Sequence, residues 1–544
     1  MLVCDELSTS VVRPYARTGH HSVNHEVRRV QDPRSHHAFG RPRSREKEPL
    51  VICLLILAVA ASAAVVLFLT DRHAFLYFGD SASHLVKARE FIDSQHPGLK
   101  NISTVWLPLP HILLFPFAMV DALFYTGIAA PVIGIPMLVL TALLLHGIVD
   151  HLTGSKTIAL LGALVYGLNP NIIYMALTPM SETASWLFTA AGGYAITRWV
   201  TTEKSRWLFL TSVAVVLATL CRYEAWLLAP FVALLGVTKD LAIARKGNRK
   251  EAMRAFWFGA LSFAGILLWL VWNRVGFGDP FMFAHETYAA GVREPAGSQP
   301  VILIGIVARA LLNIYGPVLL LLCMAAVVCA PRALLEYKTG IVLLFFLMPT
   351  LFILAALAGG YVQVNAWGWN WRYVLAMSFF VVLTASVGIA EVWRRFRSGI
   401  VRGVVVVGLA FMPLAQTLVP SVGVATFQEA AGGFIGETRR AVAFGERLPS
   451  LYAGGTIALV CPYGLGHRIM LCSGLPLKTF SILPNPAETG ITPAWPDDRY
   501  IVIGVERSPE SAALIDNWYA RRDSALHRYS VCVEDSGYTL LTRQ

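Results

Sequence analysis

Apolar runs about twenty residues long, parted by short polar stretches, recur from Leu50 to Pro420. A run of ~20 apolar residues is what an α-helix needs to cross a hydrocarbon core ~30 Å thick. The runs predicted to cross are Leu50–Thr70, Ile128–Ile148, Thr157–Leu177, Thr183–Val200, Trp207–Leu220, Ala225–Val237, Ala255–Val275, Val301–Ala330, Gly340–Gly360, Tyr373–Trp393 and Gly403–Pro420. That is about 11 transmembrane helices. A further run, Pro110–Gly127, holds Pro110, Pro116 and Asp121 and ends in Phe-Tyr-Thr-Gly. It reads as a juxtamembrane or partly inserted helix on the outer side. From about residue 421 to 544 the pattern turns polar. There "TIALVC" and "YIVIGVE" read as short strands, "YSVCVEDSGYTLL" as a hairpin and "SAALIDNWYARR" as an amphipathic helix. The fold class is therefore a polytopic α-helical membrane protein with a small C-terminal α/β domain.

Composition agrees with this pattern. The 544 residues are 56% hydrophobic and 15% charged, against about 25% charged in soluble domains. The net charge of +11 does not point to nucleic acid, because the basic residues sit in loops between apolar runs, where they report orientation. Residues 1–49 are basic and poor in large apolar side chains, and are expected to be a disordered cytoplasmic tail. "KDLAIARKGNRKEAMR" and "RRFRSGIVR" mark further inside loops, and Arg198–Arg206 and Pro331–Lys338 fit the same side. Asp71–Trp106, Gly276–Pro300 and Tyr361–Arg372 carry fewer positive charges for their length and are expected outside. An odd number of crossings then places residues 421–544 outside. The Gly192-Gly193 pair lies within an apolar run and reads as a packing feature. No metal-type CxxC spacing occurs, and a Cys461–Cys472 disulfide is open if that part faces an oxidising compartment.

Candidate chemistry gathers at the expected outer ends of the runs. Asp80 follows the first run, and Ser81–Gln95 has helical apolar spacing, predicting a helix along the surface with His84 one turn in. Asp80 reads either as an N-cap or as a carboxylate able to take a proton from a hydroxyl, and the two are compatible. "TVWLPLPHILLFPF" brings Trp106 and His111 to the same level. An interfacial Trp is usually an anchor, and an interfacial His is more often a polar group than a ligand. Glu182 opens the Thr183–Val200 run, where an acid either complements the helix dipole or faces a cavity. Arg222 and Glu224 in "CRYEAW" form either a local pair or part of a site. Arg372 in "NAWGWNWRYVLA" reads either as a snorkelling side chain or as a guanidinium fork for a phosphate.

The order and sidedness of these pieces resemble the GT-C superfamily of integral-membrane glycosyltransferases, especially the protein O-mannosyltransferase and aminoarabinose transferase branch. The matches are Asp80 in "FGDSASHLVKA", "WLPLPH", Glu182 in "TPMSE" and Arg372-Tyr373, within a transmembrane module spanning 50–420 whose outer loop is 71–127. The chain departs from the branch in having "WLPLPH" where His-Pro-Pro is common, and Glu182 where Asp is frequent. The resemblance implies a polyprenyl-phosphate sugar as donor, a protein, lipid or glycan as acceptor, and residence in the plasma (inner) membrane. It makes Asp80 and Glu182 the catalytic acids. His84, Trp106, His111, Arg222, Glu224, Arg372 and Tyr373 become the substrate-binding residues. It leaves room for a divalent metal bridging Asp80, Glu182 and a phosphate, although no ligand spacing demands one. The rival class is a transporter or flippase of lipid-linked sugars, which would place its polar groups near the midplane.

Overall fold

The computed structural model describes residues 47–102, 105–244, 249–285, 300–362, 364, 368, 370–419, 423–483, 498–504, 528–535 and 537–544. The basic tail before residue 47, "SAALIDNWYARR", and Trp367 and Trp369 lie outside the described residues.

Among the described residues, six helices are long and apolar enough to cross a membrane: Glu48–Thr70, Ala129–Thr153, Leu303–Cys329, Tyr337–Ala358, Trp371–Arg395 and Gly399–Leu418. Two bent pairs raise the number to eight, Lys156–Gly167 with Pro170–Ala176 (60°) and Met253–Leu261 with Ala264–Phe277 (44°). The chain is a multi-pass membrane protein. Trp371–Arg395 runs through the centre of the bundle, its apolar window 78% buried, whereas Glu48–Thr70 and Gly399–Leu418 show 17% and 11% and face the lipid.

The first bend follows from its sequence. Pro170 cannot continue a hydrogen-bond ladder from the preceding helix, and Asn169 caps the new helix by accepting from the Asn171 N–H at 2.9 Å. The long helix Pro300–Cys329 also breaks, with Gly316 at φ 75° before Pro317. Pro317 has no N–H for the Asn313 carbonyl. Gln416 donates to that carbonyl instead, and Asn169 donates to the Ile314 carbonyl at 2.9 Å. Two side-chain amides thus satisfy backbone groups that water cannot reach.

Gly192 and Gly193 do admit a neighbour. A Cβ on Gly193 would lie 2.0 Å from Phe346 Cζ, and one on Gly192 would lie 3.0 Å from Phe345 Cζ. The small residues let the Tyr337–Ala358 helix seat its aromatics against Glu182–Thr202.

Among the described residues, the C-terminal part forms a mixed sheet of five strands, order β2-β1-β3-β5-β4. Its strands are β1 Ile457–Val460, β2 Phe480–Leu483, β3 Tyr500–Gly504, β4 Tyr529–Asp535 and β5 Tyr538–Arg543. β1 pairs in parallel with β2 and β3, and β5 is antiparallel to β3 and β4. The helices Glu437–Leu451 and Tyr463–Ser473 cover one face. Cys472 is a free thiol, so it forms no bridge to Cys461.

That domain shares a core with the loop after the first span. Leu76, Leu85, Val86, Leu114 and Phe124 pack with Phe444, Ile457, Leu459, Ile469 and Val502. The loop helix is Ser81–Glu90, and its residues 81–88 are all buried. The helix expected after Asp80 thus forms, ending at Glu90 rather than Gln95, and the sheet domain's Tyr463–Ser473 helix packs against it. Within the 110–127 run, the helix Leu109–Ala118 has ten residues, far short of the ~20 a perpendicular crossing needs.

Candidate active site

Two acid–arginine pairs meet at one end of the bundle. The first begins where the Glu48–Thr70 helix ends. Asp71 accepts from its near neighbours, the His73 N–H at 2.8 Å and the Tyr77 hydroxyl at 2.6 Å. A short 3-10 turn, Ala74–Leu76, follows and is buried. Tyr174 holds it from the membrane side, donating to the Ala74 carbonyl at 2.9 Å. Asp80 then occupies the N-cap position of Ser81–Glu90, but its side chain makes no capping bond. Instead its Oδ2 accepts from Arg372 Nη2 at 3.2 Å. The carboxylate is thus aimed away from its own helix.

Arg372 reaches inward because the chain turns sharply before it. Gly368 and Asn370 have φ of 104° and 61°, values that Gly and Asn tolerate best. Arg372 then lies in the first turn of the 3-10 helix Trp371–Met377 and is buried. Its guanidinium lies 5.0 Å from the Phe78 ring centroid and 5.3 Å from that of Tyr373. Glu429, from helix Ala425–Gly433, accepts from the Arg372 backbone N–H at 3.1 Å and approaches Arg372 Nε at 3.7 Å.

The second pair joins Glu182 to Arg222. Arg222 Nη1 lies 3.0 Å from Glu182 Oε1 and donates to Ser181 Oγ at 3.0 Å. Arg222 Nε also donates to Glu224. The Arg222 guanidinium stands 5.5 Å from the Tyr373 ring centroid, so both arginines sit on one phenol. Glu182 is buried, yet neither carboxylate oxygen accepts a hydrogen bond among the described residues. The 3.0 Å approach of Arg222 is an ion contact without hydrogen-bond alignment. Ser81 Oγ, Thr183 Oγ1 and Arg372 Nε are likewise buried and unbonded there. Buried polar atoms of this kind are rare in native folds and mark places where a ligand or water completes the set.

Beside these pairs lies an imidazole pair. His84 Nδ1 and His111 Nε2 are 2.8 Å apart, and the Trp106 ring lies 4.7 Å from that of His84. Burial first, then the charges of Arg372 and Arg222, hold the His84 imidazole down at about 3. His84 is therefore neutral at physiological pH. Tyr223 donates to the Val105 carbonyl at 2.6 Å, tying the Trp106 stretch to the Arg222 loop.

The structure thus brings Asp80, Glu182, Arg222, Glu224, Arg372 and Tyr373 into one cluster, with His84, Trp106 and His111 adjoining. Sequence reasoning missed Glu429 and Ser181. Ser181 stood one residue before a chosen acid, and Glu429 was a lone acid in the small, apolar stretch "ATFQEAAGGF". As for a metal, Asp80 and Glu182 each face an arginine. No set of three His, Cys, Asp or Glu among the described residues converges as a donor set. The residues do not fit a resident ion, and no step is routed through one.

Burial pushes the Glu429 carboxyl up to about 7, against the pull of Arg372 and of the Arg372 and Asn370 N–H groups. Its ordinary value is 4.5. Between about 4.5 and 7 the folded chain keeps a proton that the unfolded chain has lost, so raising the pH through this window lowers stability. The loss is complete above about 7. Glu429→Gln is neutral throughout and should gain in Tm on the wild type as the pH rises from about 4.5 to 8. Thermal scans of the two proteins in detergent check this, and parallel profiles would return Glu429 to the ordinary range.

No family model matches the chain, and no curated protein does. Solved structures do. ArnT from Cupriavidus metallidurans bound to undecaprenyl phosphate is 13% identical, with 91% of this chain and 98% of that one covered, at a TM-score of 0.53. The apo state of the same protein gives 13%, 89%, 97% and 0.49. The apo oligosaccharyltransferase of Archaeoglobus fulgidus is 10% identical, at 81% of this chain and a TM-score of 0.46, and the chain spans 65% of that protein's length. These identities speak to the fold and not to the reaction. The chain has the fold of the Cupriavidus metallidurans ArnT structure.

Proposed function

We propose that the chain is a membrane glycosyltransferase that moves a sugar from a polyprenyl-phosphate donor to an acceptor on the extracytoplasmic face. The observation that carries this reading is the pair of acid–arginine contacts sharing Tyr373, with Glu182 and Arg372 buried and unbonded carboxylate oxygens on Glu182. A carboxylate beside guanidinium groups offers a proton acceptor next to an anion site, which is what displacement of a phosphate by a hydroxyl requires. The acceptor oxygen attacks the anomeric carbon as its proton passes to Asp80. The bond from that carbon to the phosphate oxygen breaks, and the departing polyprenyl phosphate takes the electron pair. Arg372 and Arg222 meet the developing charge. Glu182 positions acceptor or sugar hydroxyls with its open oxygens. The ArnT neighbour is bound to undecaprenyl phosphate, and we carry the lipid phosphate to this chain on the likeness of fold.

Sidedness supports this reading. Asp80, Glu182, Arg222, Arg372 and Glu429 touch one another in a chain of contacts, so they lie at one end of the bundle. An even number of crossings must then separate each from the next. Between Arg222 and Arg372 this requires the short helix Tyr223–Thr238 to cross together with Met253–Phe277, Leu303–Cys329 and Tyr337–Ala358. Between Glu182 and Arg222, Glu182–Thr202 and Ser205–Thr219 cross as a pair or not at all. With the pair crossing, the path has eleven spans: the eight long or bent ones and these three. An odd path puts the N-terminus and the sheet domain on opposite sides, and the basic loops assign the N-terminus to the cytoplasm and the sheet domain to the extracytoplasmic side.

Impermeant thiol reagents test the path in a background without native Cys. Cysteines at the exposed positions Met119 and Ile435 should label from outside. Those at Lys204 and Ser398, also exposed, should not. Outside labelling at Lys204 would reduce the path to nine spans.

The reaction itself is tested with purified protein in nanodiscs and a panel of undecaprenyl-phosphate sugars labelled in the sugar. Protein and lipid fractions from source cells lacking the gene serve as acceptors. Label should leave the lipid for an acceptor. Label that stays on lipid in nanodiscs, but crosses the bilayer when the protein is placed in vesicles, would make this a flippase.

A further inference from the structure

The sheet domain meets the bundle at the turn that carries Asp80. The helix Tyr463–Ser473 lies against that turn, where a Cβ on Gly464 would stand 3.6 Å from the Gly79 carbonyl oxygen, in ordinary van der Waals contact. From this helix Arg468 points into the turn and is 2% exposed. Its Nη1 donates to the Leu76 carbonyl at 2.6 Å. Its Nη2 donates to the Phe78 carbonyl at 2.5 Å and the Tyr77 carbonyl at 3.4 Å. The Leu76 and Tyr77 carbonyls fall between the 3-10 turn and the Ser81–Glu90 helix, where regular structure leaves them under-bonded, while the Phe78 carbonyl also takes the Ser81 N–H at 3.1 Å. On the far side of Asp80, His467 Nδ1 meets Ser83 Oγ at 2.9 Å. Adjacent residues of one helix therefore hold the chain on both sides of Asp80, Arg468 by the backbone before it and His467 by the Ser83 side chain after it.

Arg468 makes no ion pair among the described residues. A buried cation answered by carbonyl dipoles alone is costly, and its planar fork fixes the backbone oxygens it bonds. The Phe434 ring, 5.5 Å from the guanidinium, closes the remaining side. Burial pulls Arg468 down to about 10, so it stays charged at neutral pH.

We infer that Arg468 is a positioning residue, through which the C-terminal domain locks the Leu76–Phe78 turn and so sets the direction of the Asp80 carboxylate. The inference rests on Asp80 being the base. It gives the sheet domain a part in the reaction without contact with substrate. A base displaced by about 1 Å loses on the order of 10² in rate, so the effect belongs in kcat and not in donor KM.

The test is hydrogen–deuterium exchange on the full-length protein in nanodiscs, joined to transfer kinetics with the undecaprenyl-phosphate sugar that the panel shows to be used. In Arg468→Gln, amides 78–84 should exchange about tenfold faster or more while the β-strands hold their protection. The kcat should fall by about 10–100-fold with donor KM within about twofold. Arg468→Lys should recover part of both, because an ammonium keeps the charge and loses the fork. Unchanged exchange at 78–84, or a loosened turn with unchanged kcat, overturns the inference. If Arg468→Gln loses protection in the sheet as well, Arg468→Lys decides alone: local loosening with an intact sheet supports the clamp, and unchanged local exchange removes it. Should Asp80→Asn keep its activity, the base assignment falls, and exchange at 78–84 still reports on the clamp.

Discussion

Asp80→Asn is expected to lower sugar transfer by about 10²-fold or more, the usual scale for loss of a general base, with little change in fold. The amide matches the carboxylate in size and can still accept one bond from Arg372 Nη2, which now lies at 3.2 Å. It cannot take a proton. The Asp80 side chain makes no capping bond, so the substitution removes no cap from Ser81–Glu90. Stability should therefore stay near the wild type, and the deficit should sit in kcat. Near-normal turnover in this variant, measured with saturating donor, would remove Asp80 from the chemistry.

Arg372 should give the second large effect. It touches Asp80, Glu429 and the face of Tyr373, and it is buried. In Arg372→Ala the departing phosphate loses a charge-assisted partner, a contribution of about 1.5–3 kcal/mol. That corresponds to roughly 10–100-fold in kcat/KM. Asp80 and Glu429 also lose their shared cation, so Tm should fall. Arg372→Lys should recover part of the activity, because the charge remains while the fork is lost. A snorkelling arginine predicts a silent Arg372→Lys. Kinetics with varied donor separate the two: full activity in Arg372→Lys, with an unchanged donor KM in Arg372→Ala, would leave Arg222 as the phosphate's partner.

Much of this site was legible in the sequence, for a physical reason. A charged side chain at the end of an apolar run is expensive to keep unless it has a partner, so Asp80, Glu182, Arg222 and Arg372 stood out individually. Their pairing did not, because contacts between residues 80 and 372 depend on how the helices pack. The bend at Asn169-Pro170 was readable from its proline, yet the run Thr157–Leu177 looked continuous by hydropathy alone. Glu429 was hidden because its neighbours are small and weakly polar, and no periodicity marks a helix of nine residues. Arg468 carried no signal at all. Its burial depends on the sheet domain closing over Ser81–Glu90, which also hides the helix that its amphipathic spacing placed along the surface.

The central claim is that this site displaces polyprenyl phosphate from a sugar in a single step. Product stereochemistry and stoichiometry test it most directly. Purified protein in nanodiscs is given a donor carbon-13-labelled at the anomeric carbon, with its acceptor, and the products are followed by NMR. The expected products are a glycosylated acceptor of inverted anomeric configuration and one polyprenyl phosphate released per sugar transferred, both lost in Asp80→Asn. A product of retained configuration would contradict single displacement. Intact donor recovered from active wild-type protein would contradict glycosyl transfer altogether.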